Sequence, residues 1–465
     1  MGIIPNNILQ DITRQIGTAE TKDTHTHDRI VTAIYNNATN IAKAVVKRQS
    51  LGTHWDQKID DVITSRWLGF PIMFLFLGTV LWLTITGANY PSQVLAAGLF
   101  WIEERLAELF LAAGVPLWLK GLFVDGMYRA LAWVVSVMLP PMAIFFPIFT
   151  FFEDLGYLPR IAFNLDRLFH KAGAHGKQAL TMAMGFGCNA AGIIATRIIE
   201  SPRERLIAIL TNVFVPCNGR FPTLIVLAGV ALGGLATTSY SSLIASAVVA
   251  GIVVAGVVIT LLTSWLLSKT LLRGIPSLFT LELPPYRKPL IGQILVRSFL
   301  DRTVFVLVRA VTIAAPAGLG VWILANTSIA GQSIINILVG WLDPFAALMG
   351  LDGFILLAFI LGLPANEIVL PILIMGYVSA GSMVELNGLE ALKHLLVVEH
   401  DWTWLTALCT MLFSLLHFPC GTTLYTIHKE QKSWKWTVLA AVIPFGMACT
   451  VCFLVAQGAR VFGLV

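Results

Sequence analysis

Three cysteines sit where apolar runs are interrupted: Cys188, Cys217 and Cys420. Thiolates bind borderline and soft transition metals well. Pro216 and Pro419 each precede a cysteine inside an apolar run. A proline there removes a backbone hydrogen bond and releases a carbonyl one turn earlier, near Asn212 and Leu415. A thiol beside such carbonyls can take a partly dehydrated cation. The alternative is that each cysteine is a small apolar packing residue. Cys449 and Cys452 form a C-x-x-C pair with nothing polar around them, which reads as packing, and Cys409 has no supporting feature.

Oxygen donors accompany the thiols. Asn189, Asn366 and Glu367 are polar groups at expected membrane depth, where ionisable residues are costly and functional by default. Glu367 reads as a cation relay, or as the partner of an intramembrane arginine such as Arg220 or Arg309. Glu153 and Asp154 close an apolar run and read as an exit ligand pair or as interface charge. His417, His428 and Glu430 flank Cys420 and stay open between the same readings. No G-x-x-x-x-G-K-[ST] occurs; Gly173-Ala-His-Gly176-Lys177-Gln178 is the nearest approach. The chain is therefore expected to carry no nucleotide site. Neither H-E-x-x-H nor G-x-S-x-G occurs, so a membrane protease or esterase has no motif behind it, and the chain is expected not to be an enzyme.

The elements that position these residues follow from composition. Of 465 residues, 57% are hydrophobic and 12% charged, about half the roughly 25% charge of soluble domains. Mean hydropathy is +0.79. A water-soluble enzyme, a nucleic-acid-binding domain and a disordered scaffold are excluded. Apolar runs of about 20 residues can cross a lipid bilayer, and barrel strands would show short alternating segments instead. The expected fold is all-α and polytopic. Spans are expected at Trp67–Thr86, Gly126–Phe152, Leu206–Leu232, Tyr240–Ser268, Thr303–Asn326, Thr403–Ile427 and Thr437–Gln457. Residues 92–113 carry Glu103, Glu104, Arg105 and Glu108 and read as an interfacial or external helix, not a span. Residues 1–65 read as a cytoplasmic helical lead-in, with helices over Asp28–Lys47 and Trp55–Ser65.

Two apolar stretches are broken: Gln178–Ile199 at Gly185-Phe-Gly-Cys188-Asn189, and Phe354–Val378 at Gly362-Leu-Pro364-Ala-Asn366-Glu367. Irregular backbone at membrane depth is tolerated where it is buried in protein or lines a cavity. Most of the 31 Lys and Arg residues lie in 1–66, 153–177, 197–205, 269–302 and 429–435. Placing these segments in the cytoplasm makes each broken stretch a re-entrant hairpin, the two entering from opposite faces. A weak repeat supports this. Gly185-Phe-Gly-Cys188-Asn189 parallels Gly362-Leu-Pro-Ala365-Asn366, and Val213-Phe-Val-Pro216-Cys217 parallels Leu416-His-Phe-Pro419-Cys420. Inverted repeats with broken helices meeting at the midplane are a common transporter plan. The expected organisation is a lead-in over 1–65, a first membrane half over 66–268, a cytoplasmic loop over 269–302 and a second half over 303–465.

These motifs resemble a known family. Arg66-Trp-Leu-Gly-Phe-Pro71, Glu153-Asp-Leu-Gly-Tyr157, Gly185-Phe-Gly-Cys-Asn189, Pro202-Arg-Glu-Arg205 and Pro216-Cys-Asn-Gly-Arg-Phe-Pro222 look like the membrane region of ferrous iron transport protein B (FeoB). Pro419-Cys-Gly-Thr-Thr423 with Lys429-Glu430 is similar to its second Gate half. The likeness runs over roughly residues 25–460. It implies that Cys188 and Cys217 line an iron path and that the lead-in is the connector after a GTP-binding domain. That domain is absent from the sequence, which implies a split system, GTP-independent transport or a truncated chain. Leu363-Pro-Ala-Asn-Glu367 stands where many members carry Lys-Glu.

The expectation is an importer of Fe²⁺ in a bacterial plasma membrane, with a cytoplasmic N-terminus. Cys188, Cys217 and Cys420 supply soft ligands, Asn189, Asn366 and Glu367 oxygen ligands, and Glu153 and Asp154 the exit. Expected partners are a separate GTP-binding protein, a small accessory Feo protein and further copies of the chain; nucleic acid is not one. The alternatives are a carrier of Mn²⁺, Co²⁺ or Zn²⁺, or a nucleoside or organic-solute transporter with structural cysteines.

Overall fold

The computed structural model describes residues 25–45, 54–65, 67–232, 241–274, 286, 289–329, 331–384 and 389–463. Arg66, Tyr240 and parts of the 1–65 and 269–302 segments lie outside the described residues. The chain divides into two units, Met1–Asp61 with Ser277–Glu282, and Val62–Pro276 with Leu283–Val465.

The small unit carries α1 (His25–Val45) and the first part of α2 (His54–Ile63). Both helices expected in the lead-in form. On α1, Ile34, Ile41 and Val45 are exposed.

Among its described residues the secondary structure of the large unit is helical apart from one two-residue hairpin, β1 (Ser328–Ile329) against β2 (Gln332–Ser333). Its helices begin with α3 (Gly69–Ala112) and α4 (Leu117–Leu155). Then come α5 (Tyr157–Lys171), α6 (Gln178–Gly187), α7 (Asn189–Ala195), α8 (Pro202–Thr211), α9 (Phe221–Leu232) and α10 (Ser241–Lys269). The second part holds α11 (Ile291–Asn326), α12 (Ile334–Leu348), α13 (Gly353–Leu361), α14 (Val369–Tyr377) and α15 (Leu389–Lys393). It ends with α16 (Trp404–Leu416), α17 (Gly421–Gln431) and α18 (Trp434–Val461). Among the described residues six helices are long and apolar enough to cross a membrane, or seven if α12 and α13, bent by 110°, count as one span.

Two expectations are corrected. Residues 92–113 are not a separate helix but continue the first span as one 44-residue helix through Pro91. At 1.5 Å per residue that helix is about 66 Å long, about twice the hydrocarbon thickness, so its acidic end projects beyond the apolar part. It is anchored there by the Glu103–Arg129 pair at 2.7 Å. Leu206–Leu232 is not a continuous span either. It is α8, a short 3₁₀ turn over Asn212–Phe214, an extended stretch through Pro216 and then α9. Pro216 has no N–H with which to continue the ladder.

Local signals account for several element starts. Ser201-Pro-Arg-Glu204 opens α8, with the Ser201 hydroxyl accepting the Glu204 N–H at 3.5 Å and Pro202 at the first position. Asp352 caps α13 by accepting the Ile355 N–H at 2.7 Å, and Thr403 caps α16 at 3.3 Å from the Thr406 N–H. Gly156, at φ +89°, ends α4 in a backbone region that only glycine enters without strain. The core is aromatic and aliphatic: Phe145, Phe146 and Phe149 of α4 pack with Phe186 of α6 and Leu224 of α9. The two broken stretches lie within this core and not at its rim.

Candidate functional site

Both expected breaks occur, and they share a backbone form. Cys188, between α6 and α7, is extended at φ −156°, ψ 127°. Ala365, its counterpart in the repeat, is extended at φ −152°, ψ 124°. The residues after the two Pro-Cys pairs bond back to these breaks. The Asn218 N–H donates to the Gly187 carbonyl at 3.4 Å, and the Gly421 N–H donates to the Leu363 carbonyl at 2.6 Å. Each half thus folds its Pro-Cys turn onto its own break.

These four turns enclose a cavity of about 20 Å³. Cys188, Asn189, Cys217, Asn366, Glu367 and Cys420 all line it. Six of the eight residues expected from sequence therefore meet at one place. Glu153 and Asp154 do not. They are exposed at the end of α4, because the Gly156 turn leaves that helix end outside the packed breaks. The sequence reading missed Met138 and Met142 of α4, which also face the cavity. Their spacing, Met138-Leu-Pro-Pro-Met142 on one face of a proline-interrupted helix, was the available signal.

The polar contacts around the cavity are specific. The Asn366 amide donates to Cys217 Sγ at 3.8 Å, and Cys420 Sγ stands 3.2 Å from the Thr423 hydroxyl. Asn212 donates to the Asn189 carbonyl at 3.3 Å, while the buried Asn189 Oδ1 has no hydrogen-bond partner. His417 is buried; its Nδ1 is 2.9 Å from the Ser414 carbonyl and its Nε2 is 3.3 Å from Asn366 Oδ1. The Trp133 indole donates to the Glu367 carbonyl at 3.2 Å. The Glu367 carboxylate lies directly over Gly219, where a β-carbon would overlap it.

The proline-released carbonyls are not open to a cation. Asn212 O accepts the Val215 N–H at 3.3 Å, and Leu415 O accepts Arg220 Nη1 at 2.8 Å. Arg220 is spent on carbonyls and Arg309 on the Thr426 hydroxyl at 2.9 Å, so neither forms an ion pair with Glu367 among the described residues. The other flanking groups separate. His428 packs against Trp434 with ring centroids 4.3 Å apart, and Glu430 binds Arg197 and Arg205. Cys409 and Cys452 pack together, with Cys452 Sγ 3.4 Å from the Cys409 carbonyl. Among the described residues no three His, Cys, Asp or Glu side chains stand close enough to hold one ion together. The thiols and Glu367 line the cavity without forming a closed chelate.

Fold and site define a polytopic helical membrane protein of Gate type. The family model described as "Gate: Nucleoside recognition" matches residues 135–231 and 307–434, the segments that carry the breaks. The model for "Ferrous iron transport protein B C terminus" matches residues 249–301. The Fe(2+) transporter FeoB of Methanocaldococcus jannaschii is 28% identical over 97% of this chain and 65% of its own length. That of Staphylococcus aureus strain MSSA476 is 30% identical over 88% of this chain and 60% of its own length. A protein of Porphyromonas gingivalis, named as a fusion of Fe(2+) transport protein A with Fe(2+) transporter FeoB, is 28% identical over 86% of this chain and 51% of its own length. Together these matches support an FeoB membrane-region protein. It spans between half and two thirds of the length of these curated relatives. No solved structure matches it.

Proposed function

We propose that this chain moves Fe²⁺ across a bacterial plasma membrane, through the cavity where the two Gate segments meet. The observation that carries this reading is the convergence of Cys188, Cys217 and Cys420 with Glu367 on one small space. Mixed sulfur and oxygen donors suit borderline divalent metals, and the relatives' printed names point to iron among them. Cavity size separates ion from organic solute. Sites for small organic molecules enclose roughly 300–1,000 Å³, and this cavity of about 20 Å³ accommodates a single ion or water. That observation favours a metal over a nucleoside.

In this reading the basic segments face the cytoplasm, the N-terminus with them. The halves over 66–268 and 303–465 are inverted repeats joined by the 269–302 loop. Movement of the broken segments relative to the Pro-Cys turns exposes the cavity alternately to each side. Cys188 and Cys217 from the first half and Cys420, Asn366 and Glu367 from the second take over from bound water in turn. Asn189 offers its free carbonyl oxygen. Glu153 and Asp154 receive the ion at the cytoplasmic end. The chain transports without catalysing a reaction and holds no nucleotide itself; a GTP-binding domain and a small accessory Feo protein act with it. The Porphyromonas fusion, whose name joins a transport protein A to FeoB, supports the accessory partner.

The test is uptake by the purified chain in liposomes without oxygen, offered Fe²⁺, Mn²⁺, Co²⁺, Zn²⁺ and a nucleoside, with and without an added GTP-binding domain. Fe²⁺ uptake above that of Mn²⁺ supports the reading. Nucleoside uptake, or no metal uptake under either condition, contradicts it.

A further inference from the structure

Arg220 is among the most completely buried side chains of the protein, at 1% exposure. Its Nη1 donates to Val213 O and to Leu415 O, each at 2.8 Å. Its Nη2 donates to His417 O at 3.2 Å and Phe418 O at 3.3 Å. Val213 lies just before Pro216-Cys217, and Leu415, His417 and Phe418 lead into Pro419-Cys420. One guanidinium therefore holds the approach to both Pro-Cys turns, one from each half.

The repeat makes this one-sided. Arg220 stands three residues after Cys217, and its backbone N–H closes the turn onto the Cys217 carbonyl at 2.9 Å. The equivalent residue after Cys420 is Thr423, whose N–H closes the same turn onto Cys420 at 2.9 Å. The threonine serves only its own cysteine, whereas the arginine serves both halves. Buried carbonyls without donors are costly. A planar guanidinium offers several donors in a fixed fork, and a lysine ammonium concentrates its donors at one point. Lysine at 220 would keep the charge and leave carbonyls of one half unpaired.

We infer that Arg220 is a positioning residue for the cation path, tying the two Pro-Cys turns into one unit so that Cys217 and Cys420 meet a passing divalent cation as a pair. This rests on the reading of the cavity as that path. It implies that alternation moves the Cys188 and Asn366 breaks relative to the Cys217–Cys420 unit, and does not part the two thiols of that unit.

The test uses the full chain in detergent and in liposomes. Co²⁺ serves as a spectroscopic probe, because its thiolate complexes absorb by sulfur-to-metal charge transfer. Arg220→Lys is expected to elute as the native chain does and to melt lower, since buried carbonyls of one half lose their donor. It should raise KM for Fe²⁺ and weaken Co²⁺ binding by about tenfold or more, as losing a group that orients a ligand does. Adding Cys217→Ser to Arg220→Lys should cost little more, since both changes remove one interaction. An unchanged KM, or losses that multiply, would overturn the inference. If the lysine variant does not fold, the cysteines decide it with Arg220 intact. Cys217→Ser and Cys420→Ser should each weaken Co²⁺ binding, and the double variant should lose little beyond either single. Independent, multiplying losses would overturn the pairing. Absence of Fe²⁺ uptake and of a thiolate band in the unaltered chain would instead bring down the path reading itself, and the inference with it.

Discussion

Arg197 and Glu430 form a two-point ion pair, Nε to Oε2 at 2.9 Å and Nη2 to Oε1 at 2.6 Å. Arg205 adds a third contact to the same carboxylate at 3.1 Å. Arg197 follows the helix that starts at the Cys188 break, and Glu430 ends the helix that starts at Cys420. The pair thus clasps the two halves a few turns from the cavity. Hydrogen bonding to Glu430 raises the Arg197 pKa above its ordinary value.

Arg197 is 61% exposed on its side chain, so the clasp is worth about 1 kcal/mol, the upper end for exposed pairs. Glu430→Gln should lower the unfolding free energy in detergent by that amount at low salt. The difference should shrink at about 1 M salt, where screening acts within about 3 Å. Denaturant midpoints at two salt concentrations check this; an unshifted midpoint at low salt would count against the clasp.

Gly219 is the floor on which the Glu367 carboxylate rests. Gly219→Ala should displace that carboxylate and impair Fe²⁺ uptake to the same degree as Glu367→Gln. The double variant should be no worse than either. Initial uptake rates over a range of Fe²⁺ concentrations measure this, and full activity of Gly219→Ala would place the carboxylate outside the path.

Met138 and Met142 add two thioethers to the three thiols of the cavity wall. Leucine has nearly the same volume, so Met138→Leu and Met142→Leu should each cost less than about 1.5 kcal/mol of stability. Thioethers favour softer ions. Competition uptake should therefore show the preference for Fe²⁺ over Mn²⁺ narrowing in the double leucine variant. An unaltered preference would make both methionines packing residues.

His175, in the turn between α5 and α6, is buried, and its Nδ1 accepts the Lys177 N–H at 3.0 Å. Burial lowers its pKa; the charges of Glu204, Asp166 and Glu200 oppose the shift and that of Lys177 adds to it. The folded state binds this proton less readily than the unfolded chain, whose histidine titrates near 6.5. Stability should thus be indifferent to His175 above about pH 7 and fall as pH drops below about 6.5. His175→Asn keeps an acceptor without the titration, and Tm measured from pH 8 down to about 5.5 should lose that part of its slope. An equal slope in both proteins would contradict the assignment.

The sequence disclosed the site more fully than the helices around it. The Gly-Phe-Gly-Cys188-Asn189 and Gly-Leu-Pro-Ala365-Asn366 breaks were legible because small residues, proline and polar side chains at membrane depth have few tolerable structures. The course of residues 69–112 was not. An acidic cluster after an apolar run looks like a new element, and nothing local says that the helix continues through Pro91. The role of Arg220 was not legible for a related reason. Charge suggests a carboxylate partner, but its four acceptors are backbone carbonyls from two distant turns, which residue types do not reveal. Met138 and Met142 were hidden because methionine in an apolar run ordinarily means packing.

The central claim is that the cavity thiols carry the iron path and the other thiols do not. Two triple variants separate these roles in one uptake measurement on liposomes without oxygen. One replaces Cys188, Cys217 and Cys420 with serine; the other replaces Cys409, Cys449 and Cys452 with alanine. The first, though folded, is expected to lose Fe²⁺ uptake, and the second to retain it. Wild-type uptake by the Cys188→Ser, Cys217→Ser, Cys420→Ser chain would contradict it.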